Sequence, residues 1–140
     1  MKSRKRRSAT EVVVEAMAAV NDQDVEALRG LCRRDFMAFP ASPFLGGDGR
    51  PYSGRDGLAR WIEDLSSRWS CFEISLEDVR ERGDRVYCHA VMTVTPKRVT
   101  VPVVHEMDLV LDTRRGRLTG IRSYGHDRKA ALDSWSRLRV

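Results

Sequence analysis

The strongest constraint on the fold is a strand, turn and strand pattern near the carboxyl end that leads directly into a short helix. Apolar and polar residues alternate from residue 103 to residue 112, and strand side chains point alternately to the two faces of a sheet. One face then carries Val103, His105, Met107, Leu109 and Leu111, and the other carries Val104, Glu106, Asp108, Val110 and Asp112. His105 is the only titratable group in the apolar row, which we interpret as the inner wall of a core or pocket.

The length of 140 residues fits one domain, which should bury roughly two-thirds of its unfolded surface. The composition is 41% hydrophobic and 32% charged, and no apolar run approaches the ~20 residues needed to cross a bilayer. The basic amino terminus is not followed by the apolar segment of a secretory signal. We therefore predict a disordered basic tail over residues 1–8, a single domain over residues 9–140, and a cytoplasmic location with no membrane association.

The net charge of +5 comes from the amino-terminal tail, which supplies five of the 25 basic residues and leaves 20 against 20 acidic ones. A balanced body without a basic stripe predicts no specific nucleic-acid partner. Three cysteines without a CxxC motif disfavour a disulfide framework or a zinc site, and they are expected to be buried. No spacing of His, Asp and Glu indicates a metal, and no cofactor fingerprint is present, so neither a metal nor a cofactor is expected.

The order of predicted elements places helices before strands. A capping pattern at Ser8 starts the first helix, a second helix has a stripe that ends at Leu31 and Cys32, and a short strand covers residues 35–39. After a loop, a third helix with apolar positions from Leu58 to Trp69 precedes four successive strands and a terminal helix. This order predicts an α+β fold with a curved antiparallel sheet wrapped around helices, which leaves a cone-shaped pocket.

Three motifs carry a resemblance to a known family: Asn21-Asp22-Gln23-Asp24-Val25-Glu26-Ala27-Leu28, Tyr52-Ser53-Gly54-Arg55-Asp56-Gly57-Leu58, and Gly116-Arg117-Leu118 with Tyr124-Gly125-His126-Asp127. Together they resemble the NTF2-like (cystatin-like) superfamily, and more narrowly its SnoaL-like branch of polyketide cyclases and ketosteroid-isomerase-like proteins. The resemblance runs from about residue 9 to about residue 135. It implies the cone-shaped fold and leaves the chemistry open, because one scaffold serves many functions.

The resemblance also directs attention to particular positions. Steroid-isomerase-like members carry a catalytic carboxylate beside a proline after the second helix, where this chain reads Met37-Ala38-Phe39-Pro40-Ala41 without one. Cyclase-like members use a histidine or aspartate projecting from the long strands, and His105 fits that description. We therefore take His105 as the candidate catalytic acid/base. The predicted ligand-binding residues are Tyr52, Trp61, Met107, Leu109, Arg122 and Tyr124, with Asp64 as a further candidate at the mouth of the cone.

Two functions remain open at this point. The first is binding of a small hydrophobic ligand in the cone without established catalysis. The alternative is a cyclase, isomerase or dehydratase that uses His105 on an apolar carbonyl compound. We also predict a homodimer, because Tyr87, His89, Val91, Val104 and Val110 would leave an apolar outer sheet face.

Overall fold

The computed structural model describes residues 7–40 and 50–137, so the loop glycines at residues 46–49 and most of the basic tail lie outside the described residues. Within these ranges there are four helices and six strands, and the last four strands follow one another without an intervening helix. In chain order the elements are α1 (Ala9–Asn21), α2 (Val25–Leu31), β1 (Cys32–Phe39), β2 (Tyr52–Ser53), α3 (Gly54–Arg68), β3 (Trp69–Arg82), β4 (Arg85–Pro96), β5 (Val103–Arg114), β6 (Arg117–Ser123) and α4 (Arg128–Ser136).

The helices begin where their capping residues predict. The Ser8 hydroxyl accepts from the Glu11 amide at 3.1 Å at the start of α1, and the Asp24 carboxylate accepts from the Ala27 amide at 3.0 Å at the start of α2. Ser53 stands at the N-cap of α3 without a side-chain capping bond. The Ser8 half of the predicted capping box is therefore confirmed, and the Glu11 carboxylate accepts from the Ser8 hydroxyl at 3.2 Å.

The sheet has the strand order β2-β1-β6-β5-β4-β3 and is curved and open. Its strands pair antiparallel except for β1 and β6, which run parallel. The α+β prediction is confirmed, and the sheet is mixed rather than wholly antiparallel. The difference arises because β1 precedes the antiparallel meander in the chain and joins it beside the last strand.

Three local expectations were wrong. Cys32 and Trp69 were predicted to lie in helices, yet each begins a strand directly after one, with φ of −114° and −119°. A helical stripe and the first inward residue of a following strand look alike in sequence when no glycine or proline separates them.

The third wrong expectation concerns the cysteines, which were all expected to be buried. Cys71 is exposed on β3, whereas Cys32 and Cys88 are buried. Burial raises the pKa of each of these two thiols to about 12.

The main core lies between α1–α3 and one face of the sheet, which we call the inner face. Residues of this face form continuous rows across the strands, because paired positions share a side of the sheet. One such row is buried throughout and consists of Val86, Leu111, Ile121, Ala38 and Tyr52.

The opposite face carries α4 and is called the α4 face. Tyr87 and Val110 are fully buried there beneath Ala131, Leu132 and Trp135. The expectation that Tyr87 and Val110 would form an exposed outer surface was wrong, because the chain covers them with its own terminal helix. Val104, by contrast, is 62% exposed.

No helix within the described ranges is long and apolar enough to cross a membrane. The cytoplasmic location stays a prediction. The disordered tail over residues 1–8 also stays a prediction, because residues 1–6 lie outside the described residues. Arg7 is described and pairs with Glu15 at 3.0 Å.

Candidate functional site

His105 lies on the inner face of β5, where its row contains Met92 of β4 and Ile74 of β3. Its ring meets the ring of His126 edge-on, with centroids 5.3 Å apart and planes at 74°. Burial, and then the proximity of His126, lowers the pKa of His105 below its ordinary value. A half-buried imidazole with a lowered pKa is neutral at pH 7 and able to accept a proton.

A second polar group lies on the same face, between β2 and α3. The Tyr52 hydroxyl donates to the Asp64 carboxylate at 2.5 Å, and Tyr52 itself is almost fully buried. The Trp61 ring lies 6.4 Å from that of Tyr52, and the Arg60 guanidinium lies 5.2 Å from the Tyr52 ring centroid on its face. Aromatic surface and a hydrogen-bonded carboxylate are thus placed side by side.

The close approach of α3 to β2 makes this arrangement possible. A Cβ on Gly57 would stand 3.0 Å from the carbonyl carbon of Tyr52, which is a distance that real side chains avoid. Gly57 therefore lets the first turn of α3 lie directly on the Tyr52 backbone. Asp64, two helical turns further along, then comes within reach of the tyrosine hydroxyl.

Met107 and Leu109 are buried in the main core on the inner face of β5, on the side of the sheet that carries His105. The structure thus brings Tyr52, Trp61 and Asp64 into contact, and it places Met107 and Leu109 on the same face of the sheet.

Arg122 and Tyr124 do not join this group. Arg122 pairs in register with Val110 and donates to Asp112 at 3.1 Å on the α4 face. Tyr124 packs beneath α4 and donates to the Ser134 hydroxyl at 2.7 Å. Sequence parity correctly placed Arg122 and Tyr124 on one face, but that face is the one covered by α4.

Sequence reasoning missed a polar cluster on the α4 face. The buried Asp108 carboxylate accepts from the Tyr87 hydroxyl at 2.7 Å and lies 2.9 Å from His89 Nδ1. His89 Nε2 lies 3.0 Å from the exposed Glu106 carboxylate. His89 was expected to face solvent or a partner subunit, yet only 16% of its side chain is exposed. The alternation of β4 and β5 contained the signal, but the register of the two strands was needed to align these residues.

The pKa values on this face respond to these contacts. Hydrogen bonding to Glu106, and then to Asp108, raises the pKa of His89. Burial, together with the bond to Asp108, raises the pKa of Tyr87 to about 12. Tyr87 is therefore a permanent donor at physiological pH, and His89 favours its charged form.

Metal binding would need a different arrangement of ligands. Across residues 7–40 and 50–137 no group of three His, Cys, Asp or Glu side chains is placed to hold a metal ion. The inner face instead offers an aromatic pair, a carboxylate and a neutral imidazole. Tyr52 shares its row with Leu111, whereas His105 lies in the row of Met92 and Ile74, so the two are different places on this face. The first suits hydrogen bonding to an organic compound and the second suits proton transfer with one.

A family model for the SnoaL-like domain matches residues 13–120, which is most of the chain. The chain belongs to the SnoaL-like family. The match begins within α1 and ends within β6, so it includes Tyr52, Trp61, Asp64 and His105 but neither Ile121 nor His126. No curated protein matches the chain.

Solved structures confirm the NTF2-like fold of this SnoaL-like domain. TerC co-crystallized with polyporic acid has a TM-score of 0.73 at 19% identity and covers 91% of this chain and 96% of its own. IdmH of Streptomyces antibioticus, described as a candidate polyketide cyclase, has a TM-score of 0.71 at 19% identity over 91% and 99% of the two chains. A ketosteroid-isomerase-like protein of Catenulispora acidiphila in complex with trimethylamine has a TM-score of 0.72 at 22% identity over 81% and 84%. At these identities the likeness concerns the fold.

Proposed function

We propose that this SnoaL-like domain binds a small hydrophobic ligand with a carbonyl or hydroxyl group against the inner face of its sheet. The observation that carries the proposal is the Tyr52–Asp64 hydrogen bond at 2.5 Å beside the Trp61 ring. Ligand sites of this kind combine apolar walls with a few precisely placed polar groups. Tyr52, Asp64 and Trp61 supply both features within one contact group.

The Asp64 carboxylate fixes how polar groups are oriented in the proposed ligand site. Asp64 accepts the Tyr52 proton and thereby fixes the orientation of the hydroxyl, whose oxygen retains lone pairs that can accept from a ligand hydroxyl. The Tyr52 and Trp61 rings, which are 2% and 3% exposed, form an apolar wall beside the partly buried carboxylate. We expect a planar, mostly apolar compound to bind with its polar edge toward Tyr52 and Asp64.

Isothermal titration calorimetry tests this assignment, with polyporic acid as the first probe because it was co-crystallized with TerC. Asp64→Asn keeps an acceptor for the Tyr52 hydroxyl but removes the carboxylate charge, so it should weaken binding about tenfold, or about 1.4 kcal/mol. Glu63→Gln is the matched control, because Glu63 neighbours Asp64 on α3 and is exposed. Equal affinities for the wild type and both variants, across a panel of planar carbonyl compounds, would overturn the assignment.

Catalysis by His105 is the second candidate function, and the His105–His126 ring contact favours it. A neutral imidazole on an apolar strand face can remove a proton next to a ligand carbonyl, which is the first step of cyclisation, isomerisation or dehydration. Exchange of that ligand proton in deuterated water, followed by NMR, tests the step. His105→Gln should abolish exchange while a bound ligand is retained, and Lys129→Gln on the exposed side of α4 should not. Unchanged exchange in His105→Gln would remove the candidate.

We also propose a homodimer, although the exposed apolar area available for its contact is smaller than the sequence predicted. Tyr87 and Val110 are covered by α4, so Val104 and the half-buried Val91 carry the apolar part of any contact on that face. Sedimentation at tens of micromolar decides the question, and a monomer alone would contradict it.

A further inference from the structure

His89 is held between two carboxylates that it can satisfy together in only one protonation state. Its Nδ1 lies 2.9 Å from Asp108 and its Nε2 lies 3.0 Å from Glu106. A neutral imidazole has one N–H donor, whereas the imidazolium has two. The geometry around His89 is therefore that of the charged form.

The first residue of α4 approaches the same ring nitrogen. A terminal nitrogen of the Arg128 guanidinium lies 3.3 Å from His89 Nδ1, and Arg128 Nε lies 3.8 Å from the Asp108 carboxylate. While Nδ1 carries a proton, Arg128 has no acceptor there, and two cations stand in contact. Once that proton is lost, Nδ1 presents a lone pair toward Arg128.

We propose that His89 is a proton-operated switch for the first turn of α4, in which loss of the Nδ1 proton to solvent lets Arg128 donate to Nδ1 and tightens the helix on the sheet. In the neutral form Nε2–H continues to donate to Glu106. In the charged form His89 and Arg128 both approach Oδ1 of Asp108, which also accepts from the Tyr87 hydroxyl. Acidification therefore loosens the first turn of α4, and a rise through neutral pH fastens it.

The surroundings of His89 leave it as the group that changes charge near neutral pH. Tyr87, with its raised pKa, stays protonated, and Arg80, whose pKa is raised by its hydrogen bond to Asp78, stays cationic. The titratable and charged groups that face His89 are Glu77, Asp78 and Arg80 of β3, Tyr87 of β4, Glu106 and Asp108 of β5, and Arg128 of α4, with Asp127 capping the helix.

The rest of α4 is fastened by groups that do not titrate in this range. The Arg85 guanidinium donates to the Ser134 carbonyl at 2.7 Å and to the Arg137 carbonyl at 3.1 Å. The Trp135 ring packs 6.5 Å from the ring of Tyr87. The expected motion is therefore confined to the first turn, and the helix as a whole stays docked.

Amide hydrogen exchange of the full chain, measured by NMR between pH 5.5 and pH 8 and corrected for intrinsic exchange rates, tests the proposal. Protection of the first-turn amides, such as Ala131, which donates to Asp127, should rise several-fold with pH in the wild type. Protection of the last-turn amides should show no such rise. Arg128→Gln and His89→Gln should each remove the pH dependence.

Two controls separate the switch from general effects of charge. Lys129→Gln removes a neighbouring exposed cation, and His126→Gln removes the other histidine near α4, so both should retain the wild-type pH dependence. If His89→Gln fails to fold, Arg128→Gln alone decides, because Arg128 is exposed. First-turn protection that is flat with pH in the wild type, or that rises equally in Arg128→Gln, would overturn the proposal.

Discussion

The inner face and the α4 face of the sheet treat polar side chains in different ways. On the inner face Tyr52 donates to Asp64, and the His105 ring meets the ring of His126. On the α4 face polar side chains occur as connected networks, one around Asp108 and one in which Asp112 accepts from both Arg85 and Arg122. A network whose members satisfy one another serves to fix the fold, whereas a pair set in apolar surroundings is suited to recognising a ligand.

Asp108→Ala should give the largest loss of stability, because it removes the shared partner of Tyr87 and His89 from a buried position. Loss of one member of a buried charged network costs about 3 kcal/mol. Urea denaturation followed by circular dichroism measures the change. Glu106→Gln is the control on the same strand, and its exposure limits the expected loss to less than about 1 kcal/mol. Similar losses of stability in Asp108→Ala and Glu106→Gln would show that the buried Asp108 network contributes no more than an exposed carboxylate.

Tyr52→Phe should give a smaller loss, because it removes one hydrogen bond from a pair rather than the centre of a network. The expected decrease in the free energy of unfolding is about 1 kcal/mol. The same denaturation measurement applies, with Ser67→Ala on the exposed side of α3 as control. A loss as large as that of Asp108→Ala would show that the inner face is built in the same way as the α4 face.

The fold followed from sequence to the extent that it depends on periodicity and capping. Alternation in β4 and β5 and the helical stripe of α3 placed the buried residues on the correct sides. The ends of α2 and α3 were predicted wrongly, since Cys32 and Trp69 begin strands. The ligand-binding role predicted for Arg122 is also not supported, because Arg122 lies on the α4 face. The alternation along one strand predicts which residues share a face of the sheet. It does not predict which face will be covered by a helix that is distant in sequence. The Tyr52–Asp64 contact likewise depends on how α3 crosses β2, which no local pattern encodes.

The contribution of His89 to the free energy of unfolding should decrease as pH rises. Because Glu106 and then Asp108 raise the pKa of His89 in the folded state, its contribution to global stability is full below the unfolded value near 6.5 and is lost as pH rises through the folded value. Arg128 acts on that pKa in the opposite direction, so local opening of the first turn of α4 has the opposite pH dependence from global unfolding. His105, whose pKa is lowered, contributes in the opposite sense. The difference between the wild type and His89→Gln, followed by thermal unfolding from pH 5.5 to pH 8.5, should therefore shrink as pH rises. A difference that grows with pH would contradict the assignment.

Removal of residues 1–7 should give the smallest effect. Ser8, which caps α1, is retained, and the Arg7–Glu15 pair is exposed on both sides, so the change in stability should stay within about 0.5 kcal/mol. Thermal unfolding of the truncated chain measures it. A loss of several kcal/mol would show that the tail belongs to the domain.

A functional role of the inner face at His105 is tested most directly by His105→Ala, through paired measurements of melting and binding. If the imidazole serves a ligand, its removal should change stability by less than about 1 kcal/mol and should abolish turnover or weaken binding of a hydrophobic carbonyl compound. A core histidine would behave in the opposite way, because its loss leaves a hydrogen-bond partner unsatisfied at a cost of about 1–3 kcal/mol. A large loss of stability with unchanged ligand affinity would contradict the functional role of His105, and the function of the inner face would then depend on Tyr52 and Asp64 alone.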